Sequence, residues 1–472
     1  MKQEIISYAK EKNKILTQSA VDYLETLEDW KTHLDIIAPK IDKLMIDKED
    51  LEKTFEKVKV FRKSSEDIKK EYSPKVKIIK DVDNSGRTGK IEDFYGYFED
   101  RYMKIYEIFR GRLNSIIKIG VLKNMKNTEC NIVGMVSEKN VTKNGHIIIK
   151  VEDPSGSINV LISKTNQELI RLGEKILLDD VLCFSGKYSG DLFIANKIYF
   201  PDVKVKDFKR IQENLAIGFL SDLHVGSSLF LKDEFRAFLE WIKKEEDAKN
   251  IKYLVIAGDL VDGIGIYPKQ EDELEIADIY EQYSTLWKYI LDIPETIQII
   301  IGPGNHDVGG IADPQEKLPP EVIEEIKGYS NIHFVGSPAF LEVEGFKILM
   351  YHGTSIDTYI SDCPGLDYLN ATKPMVEMLK RRRLFGSFGK KPIFPTKEDY
   401  GVIKNEPDIF VSGHIHRVGF ERYKGIYCIN SGTWQDITPY QISQGHTPTP
   451  GVFTWLELNT GKLNTKNFRE AI

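Results

Sequence analysis

The chain has 472 residues, of which 41% are hydrophobic and 29% are charged, proportions typical of a soluble globular protein of two to four domains. Its net charge of −7 excludes nucleic-acid binding by bulk positive charge, so any basic surface must be local. The four cysteines form no Cys-x-x-Cys motif, which argues against a disulfide framework or a zinc finger. No apolar run approaches a membrane span and no signal sequence follows Met1. The sequence therefore predicts a cytoplasmic protein without a membrane partner.

Residues 1–58 are predicted to form a helical module. Ser19 is a candidate amino-terminal cap for one helix. A second apolar helix face is predicted from Ile36, Ile37, Ile41, Leu44 and Met45. Such a module can bind a partner or pack as an ordinary appendage, and both interpretations stay open.

Residues 59–127 are predicted to be a linker followed by a helix. Charged residues interrupted by Pro74 and by Asn84-Ser85-Gly86 are typical of a linker. Aromatic residues then recur at helical spacing, at Phe94, Phe98, Tyr102, Tyr106 and Phe109. Such a stripe indicates core packing more often than base stacking, and we predict packing.

Residues 128–202 change to short strands separated by turns such as Asn144-Gly145 and Ser189-Gly190-Asp191. A helical segment near residues 166–172 falls between the third and fourth strands. Five strands with a helix in that position predict an OB-fold barrel. OB-folds bind single strands or dock proteins, and the scarcity of exposed lysine–aromatic pairs favours docking here.

In residues 203–472, five apolar runs each lead into a polar motif. Continuous apolar runs predict strands buried on both faces, and open α/β sheets bind ligands at the carboxyl ends of their strands. The motifs are, in chain order, Asp222-x-His224, Gly258-Asp259-x-x-Asp262, Gly304-Asn305-His306-Asp307, His352-Gly353 and Gly413-His414-x-His416. Four further histidines follow no such motif and receive no role: His33, His146, His333 and His446.

The side chains of these motifs are those of a metal site. Asp, Asn and neutral His suit borderline divalent ions such as manganese, iron or zinc. Seven candidate ligands are too many for one tetrahedral ion, but they fit two ions that share a carboxylate. Two ions about 3.5–4 Å apart can activate a water and stabilise both oxygens of a phosphoryl displacement. The sequence therefore predicts a dinuclear phosphoesterase. A purely structural site is the alternative, although structural sites tend to be closed and mononuclear.

A basic stretch lies between the fourth and fifth motifs. Residues 373–391 contain seven basic side chains and one acidic side chain, Glu377. Glycines and aromatics interleaved there suit single-strand stacking, while a solvated helix face is the alternative. The residues predicted to contact DNA phosphates are Lys380, Arg381, Arg382 and Arg383.

The order of the motifs resembles the calcineurin-like metallophosphoesterases. Their flanks are similar to the small subunit of the archaeal family-D DNA polymerase over about residues 90–465. The similar stretches include Ser221–Ser227, Gly258–Pro268, Gly304–Asp307, Leu379–Arg382, Asn430–Gln435 and Pro448–Gly451, with Val151–Gly156 in the barrel segment.

This resemblance implies an α+β multidomain chain with amino-terminal helices, an OB-fold β-barrel and a calcineurin-like αββα sandwich. It implies a 3′–5′ proofreading exonuclease of a two-subunit replicative polymerase. The implied partners are the large catalytic subunit, DNA and, through the complex, the sliding clamp. Related B-subunits of eukaryotic polymerases have lost the metal ligands, whereas this chain keeps all of them. A non-catalytic architectural subunit and a stand-alone metallophosphoesterase are the alternatives.

The resemblance also implies roles for individual residues. One metal ion is assigned to Asp222, His224 and His416, the other to Asn305, His352 and His414, with Asp259 bridging both. His306 is assigned as the general acid that protonates the leaving 3′ oxygen, because imidazole can transfer a proton near neutral pH. Asp262 and Asp307 are expected to orient the ligands.

Overall fold

The computed structural model of the chain describes residues 2–12, 14–27, 30–31, 34, 38, 41, 43–54, 74–83, 90–125 and 128–470. The chain divides into two compact units, Met1–Ser73 and Pro74–Ile472. Among the described residues, we find no helix with the length and apolar character that a bilayer crossing requires.

The described residues of the first unit are mainly helical, as predicted. It contains α1 (Lys2–Glu11), α2 (Gln18–Glu25), a helical segment at 48–54 and two short parallel strands, β1 (Ile15–Leu16) and β2 (Met45–Ile46). Its core is formed by buried apolar side chains that include Ile5, Ala20, Leu24, Leu34 and Leu51.

Two details of this unit differ from the sequence-based predictions. The cap of α2 is Thr17, whose side chain accepts a hydrogen bond from Ala20 N at 3.3 Å, and Ser19 lies inside the helix. Met45 belongs to a strand because it pairs with Ile15. Ile36 and Ile37 of the predicted second helix face lie outside the described residues.

Part of the predicted linker belongs to the second unit. Strand β3 (Val76–Lys80) pairs antiparallel with β13 (Ala339–Val343). Because β13 is so distant in sequence, no local pattern predicts this pairing. Helix α3 (Ile91–Arg110) follows. Its aromatic stripe packs as predicted: Tyr102 and Phe109 are buried.

The next segment closes into a five-stranded barrel. Its elements are β4 (Glu129–Val141), β5 (Ile147–Asp153), β6 (Gly156–Ile162), α4 (Gln167–Glu174), β7 (Val181–Ser189) and β8 (Leu192–Tyr199). The strand order is β4-β5-β6-β8-β7, and β7 pairs back onto β4. The helix therefore lies between the third and fourth strands, where the sequence predicts it.

The remaining chain forms two six-stranded sheets. The first has the order β12-β11-β10-β9-β18-β19, and the second has the order β16-β17-β15-β14-β13-β3. Their strands are β9 (Ala216–Leu220), β10 (Ile251–Ala257), β11 (Gln298–Gly302), β12 (Ile332–Phe334), β13, β14 (Phe346–Met350), β15 (Ile409–Ser412), β16 (Val418–Tyr423), β17 (Ile426–Ser431), β18 (Val452–Glu457) and β19 (Leu463–Asn467). Strands β9 to β12 run parallel, as do β14, β15 and β17.

Helices cover the sheets. Trp287 and Phe238, from α6 (Ile279–Ile290) and α5 (Lys232–Lys244), pack in one core with the first sheet. Helices α8 (Ile356–Asp362) and α9 (Thr372–Arg381) pack with the second sheet. Two shorter helices are α7 (Pro320–Ile323) and α10 (Pro439–Ser443). The layers confirm the predicted αββα sandwich, and the central strands are buried on both faces, as their apolar runs predict.

The three arginines predicted to contact DNA lie instead between the barrel and the sandwich. Arg381 Nε and Arg383 Nη2 lie 3.2 and 3.0 Å from the two carboxylate oxygens of Asp180, which precedes β7. Arg382 pairs with Glu406. Each arginine is at most 1% exposed, so none can reach a phosphate in this conformation.

Lys380 has a different environment. Its ammonium lies 2.8 Å from Glu377 and its side chain is one-third exposed. The structure thus differs from the predicted DNA contact for Arg381, Arg382 and Arg383. The basic stretch contacts the barrel through Asp180, the buried anion that Arg381 and Arg383 share.

This interface generates a stability prediction. Asp180→Ala should remove the buried anion that Arg381 and Arg383 share and leave them only Glu377 and the more distant Asp179, at a cost of about 3–5 kcal/mol. Asp292→Ala is the matched control, because it breaks a surface pair with Lys243 that contributes about 0–1 kcal/mol. Thermal unfolding should show a large fall in Tm for the first variant only. Equal shifts for the two variants would contradict the buried pairing.

Candidate metal centre

The five polar motifs follow strands of both sheets and meet in one place. Strands β9, β10 and β11 of the first sheet and β14 and β15 of the second deliver them. A cavity of about 410 Å³ opens there, lined in part by His224, Asp259, Asn305, His306, His414 and His416. The predicted residues therefore surround one cleft at the carboxyl ends of the strands.

The backbone of the site is conformationally strained. Five of the seven candidate ligands have positive φ angles: Asp222 (51°), His224 (51°), Asp259 (52°), His414 (74°) and His416 (56°). Each such residue costs on the order of 1–3 kcal/mol. The loops hold one another in this conformation, since Asp222 N donates to Gly258 O at 2.9 Å and His224 N donates to Asp259 O at 3.1 Å.

One cluster contains Asp222, His224 and His416, whose ligand atoms lie within 4.8 Å of one another. The Nε2 atoms of the two histidines are 3.0 Å apart, and His416 Nε2 is 3.3 Å from Asp222 Oδ1. His224 Nδ1 lies 3.0 Å from Asp262 Oδ1, so this carboxylate sets the ring orientation. Burial raises the pKa of Asp222, but the hydrogen bond to His416 and the charges of His416 and His352 together lower it below its usual value.

A second cluster contains Asp259, His352 and His414, with Asn305 beside them. His352 Nδ1 donates to the Ala257 carbonyl at 2.7 Å, so Nε2 is the nitrogen that holds the lone pair once the ring is neutral. That nitrogen faces Asn305 Oδ1 at 3.1 Å and Asp259 Oδ2 at 3.2 Å. These three atoms converge in one place, and either a proton on Nε2 or a metal cation balances the negative charge of Asp259 there.

The pKa values show the same demand for positive charge. Burial lowers the pKa of His352, but Asp259 outweighs that effect and raises it to about 10. Burial raises the pKa of Asp259, but His352 and its neighbours hold it well below its usual range. The donor set of carboxylate, amide oxygen and imidazole fits a divalent ion such as manganese, iron or zinc.

Asp259 connects the two clusters. Its Oδ2 lies 3.2 Å from His352 Nε2 and 3.9 Å from His224 Nε2. A single carboxylate oxygen therefore reaches a nitrogen in each cluster, the geometry expected of a ligand shared between two ions.

His306 lies beside the ligands. Its backbone N donates to Asp259 Oδ1 at 2.8 Å, and its Nδ1 donates to the Asp262 carbonyl at 2.7 Å. Its ring is 4.6 Å from that of His224. His306 also has a ligand atom within 4.8 Å of those of His224 and Asp259, so geometry allows either an acid or a ligand role.

The two predicted supporting carboxylates act differently. Asp262 contacts a ligand ring, that of His224, directly. Asp307 instead accepts from the backbone N–H groups of Leu260 and Gly304 and from the Tyr283 hydroxyl. It therefore braces the loops on which Asp259 and Asn305 lie. Burial, with Asp259 nearby, raises the pKa of Asp307 to about 6.

Three supporting residues escaped the sequence analysis. His414 Nε2 donates to Asp357 Oδ2 at 2.9 Å, which leaves Nδ1 with the lone pair. The Gln441 amide contacts His416 Nδ1 at 2.7 Å, and Gln435 Nε2 donates to Asp262 Oδ1 at 2.9 Å. Gln435 belongs to a stretch quoted for the family resemblance. Asp357 and Gln441 have no recognisable sequence pattern, because they are identified only by their contacts with His414 and His416.

Of the four histidines that follow no motif, only His446 is found at the cleft among the described residues. His446 lines the cavity, although it contacts no candidate ligand in a hydrogen bond among the described residues. His146 and His333 lie elsewhere, and His33 is outside the described residues.

Comparison with known proteins agrees with this geometry. Residues 215–418 match the family described as calcineurin-like phosphoesterase. The DNA polymerase II small subunit of Archaeoglobus fulgidus is 40% identical over 387 residues, which cover 80% of this chain and 77% of that protein. The corresponding subunit of Methanocaldococcus jannaschii is 39% identical over 401 residues, with coverages of 82% and 67%. That of Methanothermobacter thermautotrophicus is 37% identical over 400 residues, with both coverages at 82%.

These identities extend over 80–82% of this chain and over 67–82% of the three relatives. A likeness of this extent, together with the five motifs brought into one cleft, defines the family. The chain belongs to the DNA polymerase II small subunits and carries a calcineurin-like phosphoesterase domain.

Proposed function

We propose that this chain is a 3′–5′ exonuclease that removes nucleotides from single-stranded or mismatched 3′ ends. In this proposal it is the proofreading subunit of a polymerase and binds a large catalytic subunit and DNA. Phosphodiester hydrolysis is supported by one observation: two clusters of candidate metal ligands share Asp259 at the base of an open cleft. Polarity and the partner rest on the family.

We assign the metal ligands by cluster. One ion is assigned to Asp222, His224 and His416, the second to Asn305, His352 and His414, and both to Asp259. Two divalent ions in such a site, manganese by preference and iron or zinc as alternatives, supply an activated water and charge stabilisation for the displaced oxygen.

His306 is the residue we assign to proton transfer. The bond from its Nδ1 to the Asp262 carbonyl fixes the ring and leaves Nε2 as the nitrogen able to donate to a leaving 3′ oxygen. Asp262 holds both this ring, through its carbonyl, and the His224 ring, through its carboxylate. The acid and a metal ligand are thereby kept at a constant separation.

Lys391 provides positive charge in the cleft. Its ammonium lies 2.9 Å from Asp357 and the residue lines the cavity. Because Asp357 also receives the His414 hydrogen bond, one carboxylate positions a ligand and a phosphate-binding cation together. Lys391 thus takes the phosphate-binding role for which the buried arginines are unsuitable.

A direct experiment tests this function. The purified chain, alone and mixed with the large polymerase subunit from the same source, is incubated with Mn²⁺ and oligonucleotides labelled at either end. We expect stepwise shortening from the 3′ end, faster for single-stranded or mismatched termini than for paired ones. Shortening from the 5′ end would contradict the polarity. The absence of any phosphodiester cleavage would favour an architectural subunit.

The bridging position predicts the effect of Asp259→Asn. A neutral amide cannot balance two cations, so metal content and hydrolysis should both be lost. Metal content is measured by mass spectrometry and hydrolysis with a labelled oligonucleotide. A variant that retains two ions and a near-normal rate would refute the shared-ligand assignment.

His306→Ala should separate binding from chemistry. If His306 donates a proton, the variant keeps both ions and its DNA affinity but loses about 10²–10⁴-fold in rate. His306→Gln, which can still donate a hydrogen bond but is not an acid, should remain slow. Loss of one metal equivalent would make His306 a ligand, which its distance from Asp259 and His224 also allows.

Gly413→Ala should displace Asp222 of the first cluster by steric overlap, without removing any ligand. A Cβ atom at this position would overlap Asp222 Oδ2 and the Ser221 side chain, and Asp222 would have to move. We expect a lower metal content and a lower rate. The matched control is Gly96→Ala in α3, where a Cβ meets nothing within 4 Å and alanine favours the helix. Normal metal binding in both variants would show that the site tolerates displacement of Asp222.

A further inference from the structure

A row of aromatic rings leads from the buried metal ligands to the mouth of the cleft. The His224 and His306 rings are 4.6 Å apart, and the His306 and Tyr267 rings are 6.3 Å apart. Tyr267 then stacks on Tyr440 with centroids at 5.6 Å and planes inclined by 21°. Exposure rises along the row from 1% at His224 to 52% at Tyr440. The row therefore connects the reacting centre with solvent.

The inner tyrosine of this row is held by the residues that orient the site. Gln270 accepts from Ile266 N at 2.9 Å and donates to Asp262 Oδ2 at 2.9 Å. The Tyr267 hydroxyl donates to Glu273 at 2.9 Å. The Gln270 backbone N also donates to the Tyr267 carbonyl at 3.3 Å, so Tyr267 is held at its backbone by Gln270 and at its hydroxyl by Glu273. Gln270 is in turn bound to Asp262, the carboxylate that contacts His224.

The outer tyrosine is anchored by its short helix. Tyr440 lies in α10, which begins with a capping box formed by Thr438 and Gln441. Gln441 also contacts the ring of His416. The backbone of Tyr440 is therefore tied to the first ligand cluster, while half of its side chain remains open to solvent.

A second ring pair lines the same cavity. Tyr368 and His446 lie with centroids 4.2 Å apart. The Tyr368 hydroxyl donates to Asp357 at 3.1 Å, and Lys391 contacts the same carboxylate. The cleft thus combines flat apolar faces with one cation beside the candidate metal centre, the combination that binds single-stranded nucleic acid through its bases and phosphates.

We propose that the Tyr267–Tyr440 pair, here called the tyrosine step, is a stacking subsite for the terminal nucleobases of a single strand. This inference rests on the proposed function and specifies its substrate. Base–aromatic stacking contributes about 1–3 kcal/mol per base. A base inside a duplex already stacks on its neighbours and pairs, so it must leave the helix to reach Tyr440. The tyrosine step therefore selects unpaired ends without reading sequence.

Fluorescence of 2-aminopurine tests the stacking directly. The probe is a single-stranded oligonucleotide with 2-aminopurine at its 3′ end, titrated with full-length protein in EDTA so that no cleavage occurs. Wild-type protein should quench the probe in a saturable manner. Tyr440→Ala should bind about 5- to 150-fold more weakly, the equivalent of one stacking contact. Tyr440→Phe should retain the quenching because it keeps the ring.

The matched control is Tyr280→Ala. Tyr280 is 59% exposed on α6 but does not line the cavity, so its loss should leave the titration unchanged. Absence of quenching by the wild-type protein would overturn the proposal, as would equal affinity of Tyr440→Ala and wild type.

Cleavage assays with Mn²⁺ separate this inference from the proposed function. Tyr440→Ala should slow hydrolysis of an oligonucleotide with a normal 3′ nucleotide, but not of one with an abasic 3′ residue or of bis(p-nitrophenyl) phosphate. An equal loss on all three substrates would contradict a stacking role. If the wild-type protein hydrolyses none of them, the proposed function fails, while the quenching titration still decides the stacking.

Discussion

The structure depends on the position of one buried carboxylate, that of Asp259. Its Oδ2 lies near His352 of the second sheet and near His224 of the first, so the two sheets must end at the same level. A buried anion between imidazole rings is stable only if positive charge is shared among them. One electrostatic requirement, that histidines of both sheets balance the buried charge of Asp259, therefore links the alignment of the two six-stranded sheets with the convergence of the five loops.

The cost of this convergence is spread over the surrounding loops. Five candidate ligands adopt positive φ angles that ordinary residues avoid. Asp307 binds backbone N–H groups of two loops, and Asp262, Asp357 and Gln441 each contact the ring of a histidine in one of the five motifs. The hydrogen bonds that orient the histidine rings also fix the loops on which these side chains lie. The same contacts therefore position the ligands and stabilise the strained backbone.

Charge and aromatic character are divided between two places in the molecule. The arginines of the basic stretch are buried between barrel and sandwich, where Asp180 and Glu406 neutralise them. The cleft instead offers one lysine, Lys391, and several aromatic faces. In a chain with a net charge of −7, the described lining of the cleft therefore presents aromatic faces and a single lysine rather than a dense basic surface.

The αββα sandwich was implied by the family resemblance, whereas the sequence alone was sufficient to predict the five-stranded barrel and the buried strands that end in polar motifs. These features have local signatures: apolar runs of strand length, turn residues between them, and a polar motif directly after each run. The linker prediction was wrong for Val76–Lys80, because an edge strand is completed by a partner far along the chain.

Only the tertiary structure decided the roles of side chains whose partners are distant in sequence. Arg381 and Arg383 look like phosphate ligands until Asp180, about two hundred residues away, is placed against them. Asp357 and Tyr440 belong to no motif, and they matter because the fold brings them beside His414 and Tyr267. The periodicity of apolar residues depends on the local geometry of a helix or strand, so the sequence shows it directly. The burial and pairing of a charged side chain depend on residues that the fold brings from distant parts of the chain, so neighbouring residues do not predict them.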